Sequence, residues 1–208
     1  PTMQFPESTQ GFNRYAYAGN NPLTNVDPSG FGFFKGLMKA IGWLNLIATF
    51  FFPPLGFWGA AINGFITGFL ITGGNLKAGL ISGITAGLMN GIGDMFKKIA
   101  DSAKGALKGT LTATQKFGKA LLEGVVGGAA SIAGGGKLKD GFLGAFASSL
   151  AASEFALSSN EALRTVQEVV IGGTLSVIGG GSFGNGAVSA AFAALFNDAS
   201  HRLGARVS

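Results

Sequence analysis

Four glycines, Gly79, Gly83, Gly87 and Gly91, recur at every fourth position of Gly-Leu-Ile-Ser-Gly-Ile-Thr-Ala-Gly-Leu-Met-Asn-Gly, and this spacing limits the fold more than any other feature of the chain. A period of four puts all of them on one helical face. In water each glycine costs a helix up to ~1 kcal/mol relative to alanine. The ladder therefore predicts a partner helix whose backbone approaches closely, the arrangement favoured where helices pack in lipid. The same spacing recurs at Gly32/Gly36, Gly64/Gly68, Gly105/Gly109 and Gly124/Gly128. Tight packing in a soluble helical protein would use it equally.

Just before the ladder, the chain has no charged residue from Ala40 to Leu76, with Lys39 and Lys77 at either side. Pro53-Pro54 divides this run, because consecutive prolines remove two backbone donors and push the preceding residue out of helix. The halves, about Phe33 to Phe51 and Leu55 to Gly73, read as a helical hairpin. Nineteen helical residues rise about 28 Å, close to the ~30 Å hydrocarbon core of a bilayer. Trp43 and Trp58 suit a membrane interface, though a protein core would accept them as well.

Composition narrows the chemistry. Charged residues make up 12% of the 208, glycine contributes 36, and hydrophobic residues reach 47%, the reverse of the balance that produces disorder. Zero cysteines exclude a disulfide scaffold or thiolate metal site. One histidine, His201, lies in a polar Asp-Ala-Ser-His-Arg context and leaves little for catalysis or metal binding, so neither cofactor nor metal is expected. The net charge of +5 arises between Asp94 and Lys139, where eight lysines face three acids. No basic region followed by an apolar one opens the chain, so export is expected to depend on a larger parent.

Three segments share one pattern: Gly73-Gly74-Asn75-Leu76-Lys77-Ala78-Gly79, Gly135-Gly136-Lys137-Leu138-Lys139-Asp140-Gly141 and Gly180-Gly181-Ser182-Phe183-Gly184-Asn185-Gly186. Each follows an apolar run and precedes another, which predicts helix, glycine C-cap turn, helix, used three times. The units start 62 and 45 residues apart, so they do not form a regular solenoid. Chance similarity among glycine-rich segments is the alternative.

Between the first two units, Phe96, Ile99, Ala103, Leu107 and Leu111 form one stripe of a helical wheel, with Lys97, Lys98, Asp101, Lys104 and Lys108 opposite. A basic amphipathic helix suits an anionic membrane surface; a solvated helix over a core has the same pattern. Nucleic acid is not expected, because no aromatic platform interleaves the lysines. A further helix is expected from Ser158-Ser159-Asn160-Glu161, by capping-box spacing, through Leu163 and Val166 to Val170, with Arg164 and Glu168 as a surface pair.

Residues 13 to 30, Asn-Arg-Tyr-Ala-Tyr-Ala-Gly-Asn-Asn-Pro-Leu-Thr-Asn-Val-Asp-Pro-Ser-Gly, are of another kind. Tyr15 and Tyr17 alternate with small residues as in a short strand, between the turn formers Asn20-Asn21-Pro22 and Asp27-Pro28-Ser29-Gly30. The string resembles the closing motif of the RHS-repeat-associated core, the end of the β-cocoon that packages variable C-terminal toxins in bacterial polymorphic toxin systems. The glycine-rich third unit also resembles the ending of many RHS proteins. In that family two Asp-Pro motifs are thought to supply an aspartyl-protease-like pair that releases the cargo. Asp27 matches the second; Pro1-Thr2 reads as the remainder of the first. A lone Asp27 cannot share a proton with a partner, so self-cleavage is incomplete here.

The expectation is therefore a mainly α chain: residues 1–30 as a short β/turn remnant of an RHS shell, and residues 31–208 as glycine-zipper helical hairpins. Gly64, Gly68, Gly79, Gly83, Gly87 and Gly91 would pack helices in the membrane, and Lys97, Lys98, Lys104 and Lys108 would lie at its surface. The expected function is a non-catalytic, membrane-inserting toxin that forms pores or depolarises. The resemblance implies delivery within a larger RHS protein by type VI secretion or a related machine. It further implies, as partners, the parent's RHS shell and a cognate immunity protein; the toxin reading adds action at a target cell's inner membrane and a homo-oligomer as a possible assembly. The alternatives are an enzymatic RHS toxin, nuclease or transferase, and a non-toxic translocation or packing segment. Against an enzyme stand the missing His/Asp/Glu cluster and cysteine nucleophile, and the lack of a Lys-Ser/Thr after Gly179-Gly180-Gly181 to make a phosphate loop.

Overall fold

A computed structural model describes residues 31–199 apart from 53–55, 104, 106–107 and 156. The expected β/turn remnant, with Asp27, lies outside the described residues, as does His201. The chain is mainly helical. Among the described residues there are seven α-helices and no strand: α1 Phe31–Phe51, α2 Gly56–Ile71, α3 Leu76–Ser102, α4 Ala113–Ala133, α5 Leu138–Glu154, α6 Glu161–Ile178 and α7 Phe183–Ala193, with α7 continuing into a π-helical turn, Ala194–Ala199.

The three Gly-Gly segments are three copies of one turn. Helices α2, α4 and α6 each end in a pair of backbone bonds that satisfies their last carbonyls: Gly74 to Phe69 and Gly73 to Leu70, Gly136 to Ser131 and Gly135 to Ile132, Gly181 to Ser176 and Gly180 to Val177, all at 2.7 to 2.9 Å. This is the Schellman arrangement, which needs a left-handed residue just after the cap. Gly73, Gly135 and Gly180 supply it at φ +72°, +89° and +74°. Asn75 and Ser182 then cap α3 and α7 through their side chains, while Lys137 opens α5 without a side-chain cap. The result is three antiparallel hairpins, α2–α3, α4–α5 and α6–α7; the members of the first pack mainly on each other, while α6 and α7 also pack extensively on α5.

The second and third hairpins match beyond the turn. At a constant offset of 45 residues, Lys119 corresponds to Arg164, Glu123 to Glu168, Gly127-Gly128 to Gly172-Gly173, Ser131 to Ser176, Asp140 to Asn185 and Gly141 to Gly186. Equivalent residues make equivalent bonds. Ser131 Oγ donates to the Lys137 carbonyl at 2.8 Å and Ser176 Oγ to the Ser182 carbonyl at 3.0 Å, each tying a helix end to the start of its partner. Where the two hairpins meet, Asn185 Nδ2 donates to Asp140 Oδ2 at 3.1 Å, and Lys139 Nζ donates to the carbonyls of Gly179 and Gly180 at the neighbouring turn.

Helix contact in all three hairpins is backbone against backbone. A Cβ at Gly64 would lie 2.7 Å from the Ser82 carbonyl oxygen, and one at Gly83 2.8 Å from that of Ala61. In the second hairpin Gly127 faces Gly141, and between hairpins Gly144 meets Gly186, whose Cα would be 2.7 Å from a methyl at position 144. Helix α5 lies against both α6 and α7 by this contact. The bundle closes where the α3 side chain Asn90 Nδ2 donates to the Phe196 carbonyl at 3.1 Å, with Met89 and Phe196 fully buried beside Ala60, Ala86, Ala145 and Ala193.

Three local expectations are corrected. The amphipathic helix across Phe96 to Leu111 does not form: α3 stops at Ser102, Ala103 is extended at its cap, and Gly105 and Gly109 take φ of +64° and +79°. Its lysine row is thus split, with Lys97 and Lys98 on the last turns of α3, Lys108 in the connection, and Lys104 outside the described residues. Helix α6 is capped by Asn160, whose side chain accepts from Ala162 and Leu163, rather than by Ser158, and it runs on to Ile178. The Arg164–Glu168 pair is not on the surface, because the Glu168 side chain is fully buried.

Since the fit depends on which glycines face a neighbour, alanine should act with opposite signs at two of them. Gly144→Ala is expected to destabilise by about 1–3 kcal/mol, through overpacking. Gly36→Ala, on α1 with nothing within 4 Å of the added methyl, should stabilise by up to ~1 kcal/mol. Urea melts of both variants check this; equal shifts would contradict the packing described.

Candidate functional site

The side chains are sorted in the reverse of the usual order. Apart from Met89, Phe96, Leu195 and Phe196, the buried apolar residues are alanines, while Thr49, Thr67, Thr85, Asn90, Glu123, Asp140, Ser148, Ser149, Glu168 and Ser176 are buried among them. Many large apolar side chains are exposed, on nearly every helix. On α3 the glycine face packs on α2, and Leu76, Leu80, Ile84 and Leu88, also at a spacing of four, are exposed. Leu121, Leu122 and Val125 on α4 and Val166, Val170 and Ile178 on α6 do the same. Each such side chain forgoes roughly 1.5–3 kcal/mol of burial in water. The exposed apolar area extends across several helices, and such surfaces mark contact with lipid or another protein.

The α1–α2 pair shows the sorting at its simplest. Its helices are joined by amides and hydroxyls: Asn45 Nδ2 donates to Asn63 Oδ1 at 2.6 Å and to Thr67 Oγ1 at 2.8 Å, and Asn63 Nδ2 donates to Thr49 Oγ1 at 2.8 Å. Trp43, Leu44, Ile47, Ile62 and Ile66 point away from this seam and are exposed. One end carries charge, with Lys35 and Lys39 against the Gly73 turn. The other carries Phe52 and the edge-to-face pair Phe57–Trp58, with Phe52 81% and Trp58 76% exposed. A cavity of about 310 Å³ opens along the seam beside Asn45, Thr49, Phe52 and Asn63. A second, of about 230 Å³, lies between α3, α4 and α7, lined by Ser82, Thr85, Ser131, Asn185 and Ser189.

The sequence-selected glycines fall together. Gly64, Gly68, Gly79 and Gly83 sit where a side chain would press on the facing helix, with Gly87 against Ala61 and Phe57; Gly91 is looser, with Phe57 3.5 Å from a Cβ there. The lysines do not join them: Lys97, Lys98 and Lys108 are exposed and lie away from the α2–α3 interface. Among the described residues no helix is long and apolar enough to cross a membrane, so the expected bilayer-length spans are not met. Lys35 and Lys39 occupy the first half of α1, and α2 has only 16 residues, a rise of about 24 Å.

Two acids, Glu168 expected on the surface and Glu123 given no role by the sequence, are the most unusual residues of the interior. Glu123 and Glu168 are fully buried, Lys119 Nζ lies 3.4 Å from Glu123 Oε1, and Arg164 Nε lies 3.2 Å from Glu168 Oε1. The Arg164 guanidinium also donates to the Ala152 carbonyl on α5, which ties this pair to the neighbouring hairpin. The available signal was their shared place in the 45-residue register. Among the described residues no group of three or more His, Cys, Asp or Glu side chains is placed to hold a metal ion.

Removing the cation from such a pair strands a buried charge, whereas neutralising the acid does not. Arg164→Met is expected to cost about 3–5 kcal/mol and Glu168→Gln clearly less; comparable losses in denaturant melts would mean that the carboxylate is not desolvated as described. Comparison of the chain with protein families, curated proteins and solved structures found no match.

Proposed function

We propose that the chain is a membrane-acting toxin, the cargo of an RHS protein, that inserts its hairpins into a target cell's inner membrane and makes it leaky. One observation carries this reading: small and polar side chains make up most of the described interior, while many Leu, Ile, Val, Phe and Trp side chains are exposed. In water that sorting forfeits the main driving force of folding. In hydrocarbon it is the favourable one, because lipid solvates the large side chains while glycine contacts and interhelical hydrogen bonds hold the helices together. The glycine-zipper hairpin is, on this reading, a device for lipid.

The α1–α2 hairpin is the element proposed to enter first. Its uncharged end, with Phe52 and Trp58 exposed, leads, and Lys35 and Lys39 stay with the headgroups at the base. The remaining hairpins follow by exchanging contacts with water for contacts with acyl chains. The motif at residues 13 to 30 supports delivery by an RHS shell, and with it a cognate immunity protein.

Purified chain added to anionic liposomes is expected to release a trapped dye, with Trp43 and Trp58 fluorescence moving to the blue as they leave water. A substitution that charges the hairpin end, Trp58→Glu, should reduce release without unfolding the helices seen by circular dichroism. Absence of dye release over a range of pH and anionic-lipid content would overturn the proposal.

A further inference from the structure

We infer that the end of the bundle carrying the three Gly-Gly turns is a docking face for anionic phospholipid headgroups; the inference rests on the membrane reading above. The turns meet there in space. A methyl at Gly136 of the second turn would lie 3.3 Å from Asn185 Nδ2 beside the third, and Lys139 Nζ donates to the Gly179 and Gly180 carbonyls. The cavity of about 230 Å³ joins Ala78, just past the first turn, to Gly134, Gly136 and Asn185. Helix α1 adds the stems of Lys35 and Lys39, 3.5 and 3.7 Å from a methyl at Gly73. Helices α2, α4 and α6 therefore end at this face, and α3, α5 and α7 begin there.

Positive charge is concentrated at this end. Segments 35–39, 72–78, 131–140 and 177–186 hold five lysines, Lys35, Lys39, Lys77, Lys137 and Lys139, against one acid, Asp140, which is buried beside Asn185. At the opposite end, segments 94–123 and 154–168 hold seven basic residues against six acids, with Lys116–Glu154 and Arg164–Glu168 paired. Among the turn-end lysines, Leu76, Leu138 and Phe183 are 60%, 55% and 47% exposed at the first turns of α3, α5 and α7. Exposed apolar residues continue from there along the flanks, Leu80, Ile84 and Leu88 on α3 and Val170 and Val166 on α6. An acidic protein surface would match the lysines but not this order of layers. Phosphates above acyl chains match both, with the lysine stems crossing the boundary. Because Lys35 and Lys39 belong to the face, the base of the entering α1–α2 hairpin shares one layer of headgroups with the other turns.

The experiment is cosedimentation of the intact chain with phosphatidylcholine vesicles, with and without phosphatidylglycerol, for the wild type, K77Q/K137Q and K97Q/K98Q. Each variant removes two exposed lysines, the first from the turn end and the second from the opposite one. With phosphatidylglycerol, K77Q/K137Q should bind about thirty-fold more weakly, the share of two lysines in attraction to an anionic surface, and K97Q/K98Q should change by less than about three-fold. Without it the three should bind alike. The chain has no cysteine, so an environment-sensitive fluorophore on Leu138→Cys reports burial at this face alone; it should shift to the blue on anionic vesicles, and it stands in if K77Q/K137Q does not fold. Equal weakening by both pairs, unchanged affinity of folded K77Q/K137Q, or a label at position 138 that stays in water overturns the inference and leaves the lysines to an acidic protein partner. Dye release by the wild type in the same samples then keeps the membrane reading standing. A wild type that neither binds nor leaks overturns that reading, and this one with it.

Discussion

Helix backbones meet without intervening side chains, and the rest of the structure depends on that contact. Gly64 against Ser82, Gly83 against Ala61, Gly127 against Gly141 and Gly144 against Gly186 bring pairs of helices closer than any residue with a Cβ would allow. At this separation there is little room for the interlocking leucines of an ordinary bundle, so alanine, serine and threonine supply much of the interior and many large apolar residues are left exposed. Inverted burial is thus a geometric result of the glycines. What surrounds the helices then decides whether that result costs or contributes stability, because dispersion between close helices gains only fractions of a kcal/mol per atom pair while each exposed leucine forgoes more in water.

The close approach also explains why polar groups can be inside. Helices this near each other let short side chains reach across, as Asn45 does to Asn63 and Thr67, or let a hydroxyl bond the start of the next helix, as Ser131 and Ser176 do. Each bond then fixes register, which glycine contacts alone would leave free to slide. The Asp140–Asn185 bond does the same between hairpins: equivalent positions of the repeated unit face one another, and their differing chemistry gives one acceptor and one donor where identical aspartates would repel.

Much of this was legible in the sequence. The ladder Gly79, Gly83, Gly87, Gly91 named the α3 interface because a period of four gathers residues on one helical face, although the same spacing at Gly32/Gly36 marks none, since nothing lies near Gly36. The Gly-Gly turns were legible because a left-handed cap favours glycine. Prolines at 53 and 54 placed the break between α1 and α2. The basic amphipathic helix failed for a reason also present in the sequence, since Gly105 and Gly109 act as left-handed breakers and were read only as a packing pair. The site was less legible. An i,i+4 pair such as Arg164–Glu168 has the same spacing on a surface as in a core, and only the position of α5 against α6 makes it buried. The Asn45–Asn63 seam joins residues of two helices, and no local pattern announces which side chains will face across it. Whether a large apolar residue points inward is likewise set by the partner, not by its own helix.

The repeated turn bears on how the chain comes to be folded. Each hairpin is closed by residues only a few positions apart in sequence, so its loop-closure entropy is low and its contacts are local. Such pairs can form one after another as the chain emerges from any narrow opening, without waiting for distant segments. The Asn90–Phe196 bond, by contrast, joins residues 106 positions apart, and Ala60 and Ala86 pack with Ala193 and Phe196 around it over similar or greater separations. Contacts that distant close later than a hairpin turn, so the first hairpin can meet another surface before it meets the π-helical turn.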